Sequence, residues 1–121
     1  MDKSEFESAG GGIKKGDLVL VVKPDDLFPS LRLSALAGVY DPIDNDDHPY
    51  FKIYSELHKN LRDIVNNTFL LWRTPTIDLD NPKVDVHNYG SGNYDVRYTE
   101  CRAVRLLMKA RDLEEFLRFY K

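Results

Sequence analysis

Ile13-Lys14-Lys15-Gly16-Asp17-Leu18-Val19-Leu20-Val21-Val22-Lys23-Pro24 is the stretch that decides the fold. A Gly-Asp turn runs straight into five consecutive apolar residues, three of them β-branched, and a lysine and a proline close the run. β-branched residues lose little on a pleated surface, and a proline cannot continue a central ladder, so residues 18–22 are predicted as a strand. The run is apolar on both faces. It therefore implies a strand packed on both sides, or one in a small closed barrel.

Outward from that strand, the preceding residues 1–12 end in Gly10-Gly11-Gly12, which is entropically costly to order. They are expected to form a flexible arm, with residues 13–121 as a single α+β domain. No strand precedes the glycines and Lys14-Lys15-Gly16 follows them, which is not the layout of a phosphate-binding loop. After the strand, residues 33–40 are expected to hold a second one, with Gly38 suited to a bend or a bulge. Asp41, Asp44, Asp46, Asp47 and His48 then fall in one acidic, turn-rich loop. It lacks the spaced ligands, central glycine and closing glutamate of a calcium loop, so the preferred reading is a solvated turn that caps the next helix, ahead of an acidic partner-binding patch or a metal site.

Tyr50, Ile53, Tyr54, Leu57, Leu61, Ile64 and Val65 recur at helical spacing, which predicts one amphipathic helix over about 49–66. Residues 68–73 are predicted as a strand. Residues 83–87 and 94–98 alternate and are predicted to pair as a hairpin. Residues 101–120 contain no glycine or proline, yet their apolar positions do not form one stripe. The preferred reading is a strand over 102–108 and a short helix from Leu113, capped by Asp112 with Glu115 behind it. The fold class expected is α+β: a small antiparallel sheet or SH3-like partly open barrel, one amphipathic helix and a short C-terminal helix.

The opening segment resembles the first strand of small SH3-like barrels, through Gly16-Asp17 leading directly into the valine-rich strand. The later short strands and the Asp112-Leu113-Glu114 turn are compatible with such a barrel, and the helix near 49–66 would be an insertion in it. The resemblance implies a binding module for peptides, proteins or nucleic acids. No aromatic motif of a peptide groove is present, so it assigns no site residues.

Composition narrows the function classes. The chain has 121 residues, 42% of them hydrophobic, and a formal net charge of −3. Residues 1–50 carry a net −5, residues 51–94 a net zero and residues 95–121 a net +2. A domain held to phosphates by charge alone would be more basic. The single cysteine, Cys101, forbids an internal disulfide. With no basic-then-apolar leader and no membrane-spanning apolar run, a cytoplasmic, non-membrane protein is expected.

His48, His58 and His87 lack zinc spacing, and Cys101, His87 and Asp85 form a nucleophilic set only on paper. No catalytic residue, metal ligand or cofactor is assigned. The leading expectation is a non-enzymatic protein-binding module, an inhibitor or regulator of a larger protein, with a homodimer as a further possibility. Its contact residues would be the aromatics Trp72, Tyr94, Tyr98, Phe116, Phe119 and Tyr120. The alternatives are a nucleic-acid-binding module using the basic C-terminal residues Arg97, Arg102, Arg105 and Lys109, and a small enzyme with a His/Asp site. The enzyme alternative requires a cleft holding His48 or His87 beside carboxylates.

Overall fold

In the computed structural model, residues 1–31, 33–43, 47–54, 59–71, 84–87 and 93–119 are described. The elements run α1 (Lys3–Ala9), β1 (Leu18–Pro24), β2 (Leu33–Ile43), β3 (Tyr50–Tyr54), α2 (Lys59–Leu71), β4 (Val84–His87), β5 (Asn93–Arg97), a 3-10 turn (Tyr98–Glu100), β6 (Ala103–Met108) and α3 (Ala110–Phe119). Five strands form an antiparallel sheet in the order β5-β3-β2-β1-β6, and β4 lies parallel to the start of β2. The fold is α+β, and the sheet is not closed into a barrel.

β1 is central and buried on both faces, as its apolar run predicted. Val19 and Val21 join a core with Leu36, Tyr40, Phe51, Ile53, Val96 and Val104. Leu20 and Val22 face the other way, with Ala35, Ala37, Ala103 and Val65 of α2. Leu18 packs with Leu61 of α2 and Leu113 of α3. Helices α2 and α3 thus cover one face, and α1 inserts Phe6 into the other.

The path from β5 to β6 forces the sheet to coil. Ala103 pairs with Val22, which pairs with Ala35, whereas Arg97 pairs with Tyr50, which pairs with Ile43. In a flat sheet those two ends would lie about 26 Å apart along the strands and about 19 Å apart across them. The chain from Arg97 to Ala103 reaches at most about 20 Å even when fully extended. Part of that reach is shortened further by the 3-10 turn. The sheet must therefore curl toward the face that Tyr98 and Cys101 cross, and both side chains are buried in that core.

Several expectations are corrected. The first twelve residues are not a flexible arm: α1 is capped by Asp2, whose carboxylate accepts from Glu5 N at 2.8 Å, and Phe6 is fully buried. Gly11 and Gly12 take positive φ (84° and 97°) to reverse the chain, so that Phe6 and Ile13 enter one core. Of the helix expected over 49–66, residues 50–54 form β3 instead, because Phe51 and Ile53 fill the concave core from the edge of β2; the helix is described from Lys59, and residues 55–58 lie outside the described residues. The acidic loop is therefore followed by a strand, not directly by a helix.

Of the strand expected over 68–73, residues 68–71 are helix and residues 72–73 lie outside the described residues; the Leu61–Val65 stripe docks α2 on the sheet, and tertiary burial overrides strand propensity. Among the described residues the expected hairpin pairing is not made. β4 pairs with β2 and β5 with β3, each taking a different edge that the long β2–β3 ladder leaves open. The register through Gly38 is unbroken; the irregularity lies in β6, where Val19 pairs with Leu106 but Leu18 with Met108. It places Leu107 and Met108 together against α2 and α3. The C-terminal stretch is strand then helix, as preferred from sequence, but α3 begins three residues early. Its cap comes from a distance: Asp17 Oδ1 accepts from Ala110 N at 2.8 Å, and Oδ2 from Lys14 N at 2.9 Å.

Candidate functional site

The loop between β1 and β2 is built outward from a buried lysine. Lys23 sits at the end of β1 with 3% of its surface exposed. Its ammonium donates to Pro24 O at 3.0 Å and to Asp26 Oδ1 at 2.7 Å. A buried cation needs such partners, so this pair fixes where the chain leaves the strand. Asp25 fixes the next turn: Oδ1 accepts from Leu27 N at 2.9 Å and Phe28 N at 3.0 Å, and Oδ2 accepts from Ser34 Oγ at 2.9 Å. Leu31 N closes on Phe28 O at 3.0 Å. This side-chain mimicry of a turn is the ordinary work of aspartate in loops. Its result is unusual, because the apolar side chains it orders point outward. Leu27 is 82% exposed, Leu31 61% and Phe28 47%.

Beside this loop lies a polar cleft of about 430 Å³, lined by Asp26, His48, Tyr50, Asp95, Arg97 and Glu100. A second hollow of about 240 Å³, lined by Lys23, Pro24, Asp25, Asp26, Pro29 and Glu100, joins it to the loop. The curl of the sheet makes this possible: it brings the β1 exit, the start of β3, the end of β5 and the 3-10 turn to one place. His48 thus stands with three carboxylates in one cleft, the juxtaposition that the enzyme alternative required. Among the described residues, no group of three or more histidine, cysteine, aspartate or glutamate side chains has the arrangement of a metal site.

The residues singled out from sequence are dispersed. Trp72 and Tyr120 lie outside the described residues, as does the side chain of Tyr94 in β5. Tyr98 is a correction: it is 1% exposed and belongs to the core. Its hydroxyl lies 2.9 Å from that of Tyr40, which donates to Glu7 Oε1 at 3.1 Å and so ties α1 to the sheet. Burial, then the Tyr98 hydrogen bond, holds the Tyr40 hydroxyl well above its usual pKa. Phe116 is half-buried against the Leu18–Leu61–Leu113 cluster, and Phe119 is 81% exposed.

The four basic residues do not gather on one surface. Arg97 lines the cleft, Arg102 follows the 3-10 turn, Arg105 is exposed opposite Leu20, and the Lys109 ammonium bonds Gly12 O and lies 3.6 Å from Asp17 at the far end of β1. Cys101 is buried, with its thiol 3.6 Å from Arg97 O, and burial pushes its pKa up to about 12. It is not an activated nucleophile. The paper set with His87 and Asp85 falls on side chains outside the described residues.

The loop at 25–31 was missed at the sequence level. The signal available there was Leu27-Phe28-Pro29-Ser30-Leu31 itself, three large apolar residues around a proline, with no periodicity to bury them.

No family model, no curated protein and no solved structure matches this chain. Among the described residues, no helix is long and apolar enough to cross a membrane.

Proposed function

We propose that this protein is a non-enzymatic protein-binding module, an inhibitor or regulator of a larger partner, which docks through the β1–β2 loop. One observation carries the reading: Leu27, Phe28 and Leu31 are held out of the core by an ordered turn. Each leucine gains roughly 1.5–3 kcal/mol when fully buried, so leaving both in water forgoes stability that a partner would restore. The turn is already fixed by Asp25 and Lys23, so little loop entropy remains to be lost on docking. A cytoplasmic location accords with the lone, unpaired Cys101. Pairing of two copies through β6 is disfavoured by exposed Arg105 and the bulge, both of which blunt a sheet edge.

The test compares capture from native lysate by the unaltered chain and by the variant Leu27→Ser/Leu31→Ser. A stoichiometric partner that protects residues 25–31 from amide exchange, and that the variant loses, would support the reading. A partner retained by the variant would refute it.

The small-enzyme alternative has one observation in its favour, His48 sharing a cleft with Asp26, Asp95 and Glu100. Chromogenic ester and phosphodiester substrates, with His48→Ala as control, test it: turnover abolished by that substitution would displace the binding reading. The nucleic-acid alternative gains nothing from the scattered positions of Arg97, Arg102, Arg105 and Lys109.

A further inference from the structure

We infer that the segment recognised by the β1–β2 loop carries an arginine or lysine beside its apolar residues, and that this cation enters the cleft beside Asp95 and Glu100. The inference rests on the docking reading above and specifies the chemistry of the partner. Its ground is continuity together with charge. Asp26 and Glu100 line both the cleft and the hollow, and the hollow reaches Asp25 and Pro29 of the loop that carries Leu27 and Leu31, so the cleft continues up to the apolar loop. Among the described residues that line the cleft, Asp26 is already paired with the Lys23 ammonium, and Asp95 and Glu100 outnumber Arg97 two to one.

The two cations do not serve an anionic ligand equally. The Lys23 ammonium is buried and committed to Pro24 O and Asp26. Among the described residues, that leaves Arg97 as the exposed cation of the cleft, opposed there by Asp95 and Glu100. An acidic peptide or a nucleic-acid backbone would thus meet an excess of carboxylates. A guanidinium or ammonium would meet acceptors on two sides and keep the cleft polar while the neighbouring leucines desolvate. Such complementarity selects among partners that the apolar loop alone would accept without discrimination.

The test uses a display library of random twelve-residue peptides selected against the full chain, and against the variants Asp95→Asn/Glu100→Gln and Leu27→Ser/Leu31→Ser. The expected result is enrichment of peptides with arginine or lysine next to leucine or aromatic residues. Their affinity should fall about tenfold or more for the cleft variant and decrease with added salt. Enriched peptides that are neutral or acidic, or basic ones that bind the cleft variant unchanged, overturn the inference. If those peptides still lose binding to the loop variant, the docking reading survives alone. If no peptide is enriched over the unselected library, or the loop variant binds them unchanged, both are overturned.

Discussion

Phe6→Ala tests the anchoring of the N-terminal helix most directly. Phe6 is fully buried, and its ring centroid lies 4.6 Å from that of Phe51, 5.2 Å from Tyr40 and 5.5 Å from Tyr98. Phenylalanine-to-alanine changes in cores cost about 3–5 kcal/mol, as lost transfer energy plus the cavity left behind. The curled sheet fixes the walls of this site, so collapse into the void gives little relief. Detachment of the helix sets the ceiling, because α1 is only seven residues long and Phe6 is its one fully buried residue. The loss expected is thus about 3–4 kcal/mol, a large share of the roughly 5–15 kcal/mol that holds a domain of this kind folded. In urea, with an m-value of about 2 kcal/mol/M, the midpoint followed by circular dichroism should fall by nearly ~2 M. Deleting residues 1–9 should cost a similar amount, since without its anchor α1 no longer stays docked. A loss below about 1 kcal/mol for Phe6→Ala would show that the N-terminus is a loose arm in solution and that the concave core closes without it.

Asp17→Ala should cost about 2–4 kcal/mol in the same denaturation, because a 3% exposed carboxylate would stop serving both Lys14 N and the first amide of α3; Asp17→Asn, which keeps acceptor capacity on one oxygen, should cost less. Cys101 should resist thiol reagents at pH 8 until the protein unfolds. Because its folded pKa is raised to about 12 from an ordinary value near 9, the unfolded chain loses that proton first. Its contribution is therefore full below pH 9 and is lost as pH rises toward 12, a fall that Cys101→Ser should flatten when stability is measured across that range. Leu27→Ser/Leu31→Ser should leave the unfolding midpoint unchanged within about 0.5 kcal/mol, since both side chains already face water; a larger loss would place them in the fold rather than on a docking surface.

The sequence by itself determined the central strand, because five apolar residues between a Gly-Asp turn and a proline leave no other economical structure. It also determined the α+β class, the strand at β6 and the short helix after it, where local pattern and tertiary use agree. Tertiary structure decided residues 50–54 and 68–71. There helical and strand periodicities are both satisfied, and the choice fell to which surface was free: the edge of β2 for Phe51 and Ile53, the face of the sheet for α2. It also decided the fate of Phe6, a lone aromatic among acidic residues and glycines with no periodicity to betray burial. The candidate site was legible only in fragments. His48 and Arg97 stood out as residue types, but nothing in their spacing joins them to Asp26 or Glu100. They meet because a link shorter than the distance between its two ends in a flat sheet curls the sheet until the β1 exit and the β5 end share one cleft, and such closure is a property of the folded chain, absent from any window of its sequence.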